Sequence, residues 1–142
     1  MLVKIFGSAV FGIEAQTITI EVNIDQGIGY HLVGLPDNAI KESSYRIAAA
    51  LKNINYQLPG KKITINMAPA DLRKEGAAYD LPLAIGILIS SAQIKSNLNL
   101  DKILIMGELS LDPKFPICAV PTFVITATVG CAILVNALNS PK

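Results

Sequence analysis

The stretch TITIEVNI, residues 17–24, alternates β-branched apolar side chains with polar ones without a break. A period of two places the apolar side chains on one face of a β-strand and the polar ones on the other. The sequence therefore predicts a strand that buries one face against a core and shows the other to water. The flanking segments must then either pair with this strand or cover it.

The segments on either side of this strand predict an antiparallel meander. Residues 2–11 are mostly apolar and predict a strand that Gly7-Ser8 interrupts, and residues 12–14 predict a turn back into the second strand. Residues 25–27 then turn the chain into a third strand at 30–33. The first third of the chain is expected to be all β.

A helix and a fourth strand are predicted next. Asp37 is a good N-cap for a helix that ends near Asn53, with Arg46 on its polar side. After Pro59-Gly60, the alternation at residues 61–67 predicts a strand. The order to this point is β-β-β-α-β.

The second half predicts a buried helix and a further strand. Asp80 is expected to be an N-cap, and residues 81–91 are apolar on every side, as is typical of a helix between two layers. The apolar run at 103–107 predicts a central strand. In the tail, residues 121–129 and 132–135 predict a last helix and strand.

The bulk composition indicates one domain, over residues 1–142, that meets a partner. Hydrophobic residues make up 51% of the chain and charged residues only 16%, against a usual charged share of about 25%. The 12 basic and 11 acidic residues leave a net charge of +1, which excludes the strongly basic surface of a dedicated nucleic-acid binder. Any contact with DNA is expected to be local.

Several function classes are disfavoured by what the sequence lacks. Cys118 and Cys131 form no zinc-binding pattern, and His31 is the single histidine, so neither a metal site nor a Ser-His-Asp triad is expected. No glycine-rich loop is followed by the lysine that would reach phosphates. The first residues do not resemble a signal peptide, and the apolar stretch 123–135 is too short to span a bilayer. We expect a cytoplasmic domain without a membrane segment.

The chain carries five short motifs: GYHLVGLPD at 29–37, SSYR at 43–46, NMAPAD at 66–71, RKEGAAYDLP at 73–82 and GELSLD at 107–112. Together, in this order and spacing, these motifs resemble the N-terminal domain of the ComM/YifB family of Mg-chelatase-related AAA+ ATPases. The resemblance covers residues 1 to about 112, and the tail from 113 to 142 departs from the family pattern.

The resemblance implies a fold. The N-terminal domain of that family is similar to the proteolytic domain of Lon and to the second domain of ribosomal protein S-five. We therefore expect an α+β fold, a two-layer α/β sandwich of order β-β-β-α-β-α-β, with the left-handed β-α-β crossover of those proteins. Periodicity alone would favour the right-handed form.

The same resemblance implies that catalysis has been lost. Lon uses a Ser-Lys dyad, and Ala78 stands where the serine would be, while Val120 or Pro121 stands at the lysine position. Ser90 and Ser91 lie at a helix end near Lys95 without an evident oxyanion site. The domain is therefore expected not to be an enzyme, and Lys74-Glu75-Gly76 is expected to be a solvated loop.

For function, the resemblance implies a non-catalytic scaffold that packs against neighbouring copies or against the AAA+ module of the same protein. That module, expected to lie outside this chain, would bind ATP and Mg²⁺, form a hexamer and promote branch migration of single-stranded or branched DNA in natural transformation. This chain itself is expected to hold no cofactor. The alternatives are a Lon-like Ser-Lys peptidase and a magnesium-chelatase subunit. Candidate DNA-binding residues are Lys61, Lys62, Arg73 and Lys74, although a solvated face explains them equally well.

Overall fold

The computed structural model describes residues 1–97 and 99–112, together with the backbone of residues 117–118. The strands are β1 (Val3–Phe11), β2 (Glu14–Asp25), β3 (Gly29–Val33), β4 (Lys62–Ala68), β5 (Glu108–Leu109) and β6 (Ile117–Cys118). The helices are α1 (Asn38–Lys41), α2 (Ser43–Asn53) and α3 (Asp80–Ser90). There are also two short 3₁₀ turns, Ala77–Tyr79 and Leu100–Lys102.

A four-stranded sheet of order β1-β2-β4-β3 forms one layer of the domain. β2 pairs antiparallel with β1 and with β4, while β3 pairs parallel with β4. The predicted alternation in β2 is confirmed, because Ile18, Ile20, Val22 and Ile24 are all buried. Since their polar neighbours project from the opposite face, the sheet has one apolar and one polar side.

The helices cover only the apolar side. α3 packs on β1 and β2, and α2 packs on α3. Every residue of α3 is buried, which confirms the prediction of a helix enclosed between other elements. On the polar side, Glu21 accepts a hydrogen bond from Asn66 at 3.0 Å and lies 3.4 Å from the Lys4 ammonium. The fold is therefore α+β, as predicted.

β1 differs from its prediction, because it is continuous through Gly7-Ser8. These two residues pair with Ile18 and Thr17 of β2. A side chain at position 7 would lie 3.0 Å from the sulfur of Met106. Glycine therefore makes room for a neighbour here and does not break the strand.

The single helix predicted after Asp37 is in fact two. Asp37 is the N-cap as predicted, since its Oδ1 accepts from the Ile40 amide at 2.8 Å. α1 ends at Lys41, and α2 begins at Ser43. Glu42 lies between them, and its amide donates to the Asn38 carbonyl at 2.9 Å.

The prediction that Asp80 is an N-cap is wrong. Asp80 is the first residue of α3, and the preceding residue, Tyr79, makes no side-chain cap. A 3₁₀ turn continues directly into the helix, which frees the Asp80 carboxylate for another partner, described below.

The apolar run at 103–107 is not a central strand. Leu104 forms a single parallel bridge to Phe6, and the Ile105 amide donates to the Phe6 carbonyl at 2.7 Å. The run therefore lies along the outer edge of β1, where Met106 covers Gly7. The run is as apolar as a central strand because its Ile105 side chain is buried in the core.

Three expectations stay open. The helix and strand predicted within 121–135 and the dyad position at Val120 or Pro121 lie outside the described residues. β3 and β4 are parallel and joined through the helices, and the left-handed sense of that crossover stays a prediction.

Among the described residues, no helix is both long enough and apolar enough to cross a membrane.

Gly34 offers a sharp test of how closely the end of β3 meets β4. Its φ is +100°, and an added Cβ would lie 2.0 Å from the Met67 carbonyl oxygen. We expect Gly34→Ala to lower the free energy of unfolding by about 2 kcal/mol or more, because strain and a backbone clash coincide. Urea unfolding measures this. Gly60→Ala is the control, since a Cβ there meets nothing within 4 Å, and equal losses for both variants would contradict the prediction.

Candidate functional site

Two loops, residues 34–37 and 69–76, join at the end of the sheet where β3 and β4 finish. The Lys74 amide donates to the Leu35 carbonyl at 3.3 Å, and the Asp37 amide donates to the Lys74 carbonyl at 3.1 Å. These bonds form a short parallel bridge between Pro36 and Lys74. Segments far apart in sequence are thereby fixed as one surface.

The Lys74 side chain lies beneath this bridge. It is fully buried, and its ammonium donates to the carbonyl of Gly34 at 2.7 Å and to that of Pro69. Burial lowers the pKa of Lys74 below its usual value near 10.5, while Asp71 opposes the shift. The expectation that Lys74 belongs to a solvated loop is therefore wrong, because its side chain ties the two loops together.

Asp37 joins the same two loops from the other side. One carboxylate oxygen caps α1, and the other accepts a hydrogen bond from the Gly76 amide at 2.9 Å. Both oxygens are therefore engaged within the protein. The nearby Asp37 charge also contributes, after burial, to a pKa of about 12 for Tyr79.

Leu35 is held between these anchors in an unusual conformation. Its φ is +53° and its side chain is 57% exposed. A left-handed conformation is uncommon for a bulky residue and persists where surrounding structure enforces it. The bridge to Lys74 supplies that enforcement, and the result is an apolar side chain presented to solvent.

A cleft of about 430 Å³ opens beside Leu35. Its wall combines apolar groups, the Asp37 carboxylate and two cationic side chains. Arg73 pairs with Glu75 at 3.0 Å, but both partners are mostly exposed, so the pair is weak. The lining residues are Leu35, Pro36, Asp37, Asn38, Ala39, Lys41 and Arg73.

A buried ion pair anchors the helices behind the cleft. Arg46 donates to both oxygens of Asp80, at 2.7 and 2.9 Å, and also to the Ala39 carbonyl at 2.6 Å. Asp80 is fully buried, and the hydrogen bond to Asp80 is the main cause that raises the pKa of Arg46. The pair links α2, α3 and α1, so the helix that borders the cleft cannot move freely.

Ala78, which the resemblance places at the position of the Lon serine, makes backbone contacts in the structure. Ala78 lies in the 3₁₀ turn, and its carbonyl accepts from the Gly107 amide at 2.7 Å. Next to it, the Tyr79 hydroxyl donates to the Ser8 carbonyl at 3.0 Å. Farther along α3, the hydroxyls of Ser90 and Ser91 donate to the carbonyls of Met1 and Leu88.

The four candidate DNA-binding residues do not form one patch. Lys61 and Lys62 are exposed at the start of β4, whereas Arg73 lies beyond its end, roughly 20 Å away at 3.3 Å per strand residue. Lys74 is buried, so its ammonium is not available to a phosphate in this conformation. The DNA prediction therefore depends on Lys61, Lys62 and Arg73.

Among the residues that the structure describes, no group of three or more potential metal ligands (His, Cys, Asp or Glu) is found. His31 lies in β3, and its side chain is exposed.

Two features of this region are not predicted by the sequence: the buried partner of Arg46, which the helical pattern places on a polar face, and the left-handed conformation of Leu35. A usable signal existed for the ion pair, since Asp80 is the one charged residue in an otherwise apolar helix and needs a buried partner. No comparable signal pointed to the conformation of Leu35.

Sequence comparison places this arrangement in a known family. Residues 20–131 match the family described as subunit ChlI of Mg-chelatase, which is most of the chain. The chain therefore belongs to this Mg-chelatase-related family.

Individual relatives narrow the class to ComM/YifB-type proteins. The chain is 49% identical to the uncharacterized protein YifB of Escherichia coli over 104 residues, which is 72% of this chain and 20% of YifB. It is 43% identical to the competence protein ComM of Haemophilus influenzae over 111 residues, which is 78% of this chain and 22% of ComM.

A third relative extends the similarity into the tail. An uncharacterized protein of Mycobacterium tuberculosis is 39% identical over 143 aligned residues, which cover 98% of this chain and 28% of the relative. The chain thus spans about a fifth to a quarter of the length of the curated relatives it matches.

The buried ammonium of Lys74 predicts a pH dependence of stability. Because its pKa is lower in the folded state, the unfolded chain binds more protons in the window that ends near pH 10.5, so this residue makes stability rise with pH there. Lys74→Met should remove that rise when urea unfolding is measured at a series of pH values below 10.5. Above pH 10, Tyr79 acts in the opposite direction, since its pKa is raised. The control is Lys95→Met, which replaces an exposed lysine and should keep the wild-type slope of stability against pH. If Lys74→Met also keeps that slope, the prediction is refuted.

The Arg46–Asp80 pair predicts that Arg46 contributes far more to the free energy of unfolding than Arg73 does. Arg46→Ala leaves a buried carboxylate without its partner and should cost about 3–5 kcal/mol in the free energy of unfolding. Arg73→Ala removes a mostly exposed ion pair and should cost less than about 1 kcal/mol. Chemical denaturation of the two variants compares them directly, and similar losses would show that the buried pair is not an anchor.

Proposed function

We propose that this chain is a non-catalytic assembly domain of a ComM/YifB-type protein. In this role it packs against neighbouring copies of itself or against the AAA+ module of the same protein. The family resemblance implies that the full-length protein hydrolyses ATP with Mg²⁺ and promotes DNA branch migration in natural transformation. The contribution of this chain is to hold the motor in place.

The observation that carries this proposal is the distribution of exposed apolar side chains. Val10 and Ile13 are each more than 70% exposed, and they lie together at the turn between β1 and β2 in a domain with few charges. Exposed apolar groups that lie together mark surfaces that meet other proteins. Leu35 adds a third exposed apolar side chain, in a conformation that the fold enforces.

The position of Ala78 supports a role without catalysis. A methyl group cannot act as a nucleophile, and the backbone around it is occupied in holding the 3₁₀ turn to Gly107. The peptidase alternative would need a different serine, and both Ser90 and Ser91 donate their hydroxyl protons to backbone carbonyls within α3 or beside it.

Sedimentation velocity tests the assembly role. The chain is run alone up to about 1 mM and, separately, mixed with the AAA+ module of the full-length protein. We expect association in at least one experiment, with a dissociation constant tighter than about 1 mM, the weak limit for a specific contact. A chain that binds neither itself nor the module at these concentrations would refute the proposal.

DNA guidance is a second candidate function, and the exposed pair Lys61-Lys62 favours it. Two adjacent cations at the start of a strand offer phosphate contacts, although the net charge of +1 limits their reach. This role is compatible with assembly, since a ring can hold DNA through a few local contacts on each copy.

Fluorescence anisotropy with single-stranded, duplex and forked DNA at two salt concentrations tests this role. If the pair contacts phosphates, binding weakens with salt, and the double reversal Lys61→Glu/Lys62→Glu weakens it further. The control is Lys95→Glu/Lys102→Glu, which changes the net charge equally at other exposed lysines. Equal losses in both variants, or no binding at low salt, would remove DNA guidance from this domain.

A further inference from the structure

The hairpin between β1 and β2 projects beyond the rest of the sheet. β4 pairs with β2 no farther than Thr19, whereas β1 continues to pair with β2 as far as Phe11 and Glu14. Tyr79 and Met106 support this extension at Ser8. Beyond that point, residues 10–15, here called the arm, have only each other as strand neighbours among the residues that the structure describes.

The tip of the arm is apolar and bears one acid. Ile13 is fully exposed, and Val10 is 72% exposed. Glu14 lies next to Ile13 at the end of the two-residue turn. An isolated two-stranded ribbon is at best marginally stable in water, so such an arm gains most from a partner that covers its tip.

The cleft beside Leu35 offers the complementary chemistry. Leu35, Pro36 and Ala39 supply apolar contact, and Lys41 and Arg73 supply positive charge. The one acid in the wall, Asp37, has both oxygens occupied by backbone amides. Among the described residues, no carboxylate lies within salt-bridge distance of Lys41, so an incoming acid finds a free cation.

We propose that the arm of one copy of this chain docks in the cleft of a second copy. Ile13 would lie against Leu35, Pro36 and Ala39, and the Glu14 carboxylate would pair with Lys41 or Arg73. This inference rests on the assembly role proposed above and names the surfaces that perform it. The match of an acidic, apolar tip to a cationic, apolar cleft selects the second copy over an unrelated partner.

The sheet order explains why the arm of one copy does not dock in the cleft of the same copy. The arm continues β1 and β2, whereas the cleft follows β3 at the other edge. These positions are roughly 10–14 Å apart at the strand spacing of a sheet. Because each copy offers one arm and one cleft, two copies that exchange arms form a closed dimer, and a contact that repeats head-to-tail gives a ring if the rotation closes.

The first test compares two exposed isoleucines by sedimentation. Ile13→Asp should weaken self-association at least tenfold, because it places a charge in the apolar part of the contact. Ile28→Asp is the matched control: Ile28 is also almost fully exposed, but it precedes β3, at the end of that strand opposite the cleft. It should leave association unchanged. Equal effects of the two variants would overturn the assignment.

The second test exchanges the charges. E14K alone, and the double variant K41E/R73E alone, should each weaken self-association several-fold, the range of an exposed ion pair. An equimolar mixture of the two variants should recover association, since each copy then finds an oppositely charged partner. A merely structural effect of either variant would not be repaired by mixing.

The outcomes separate this inference from the assembly role. If E14K and Ile13→Asp leave self-association unchanged, the arm-and-cleft contact is overturned, but the assembly role is not. A chain that is monomeric at about 1 mM but binds the AAA+ module also overturns the contact, because the occupant is then the module. Recovery in the mixture supports it, and failure to recover after both variants have weakened association contradicts it.

Discussion

The close approach of α3 to β2 is the constraint on which the domain depends. A Cβ at Gly86 would lie 2.6 Å from a methyl group of Val22, so the helix backbone rests directly on the alternating strand. Everything on the apolar side of the sheet is arranged around this contact. α2 and the 103–109 segment cover the outer surfaces of α3, which is why α3 must be apolar all round.

Local patterns were sufficient to predict most of this arrangement. The alternation in residues 17–24 and 61–67 located two strands and the face they bury, and the apolar residues of 81–91 located α3. Patterns failed where a tertiary partner decided the outcome. In the sequence alone Gly7 predicts a break in the strand, whereas in the structure Met106 fills the space beside it. An apolar run such as 103–107 has the same composition at an edge as in the centre of a sheet.

The cleft was harder to predict because distant segments build it. The sequence marked Asp37 as a cap but could not show that its second oxygen holds Gly76. Likewise, a lysine flanked by Arg73 and Glu75 suggests a solvated loop, and only the pairing of loops 34–37 and 69–76 encloses it. The family motifs fall on these residues, but the resemblance gives a role in the lost dyad only to Ala78 and to Val120 or Pro121. In the structure they shape a surface.

The enclosure of Lys74 makes its amine chemically silent. Reagents that modify primary amines react with the neutral, accessible form, and the Lys74 ammonium instead donates to the carbonyls of Gly34 and Pro69. Its reactivity therefore reports whether the two loops have separated, while the exposed lysines around it react in either state. Lys74 is thus a native probe for local opening of the cleft, readable by mass spectrometry after amine modification.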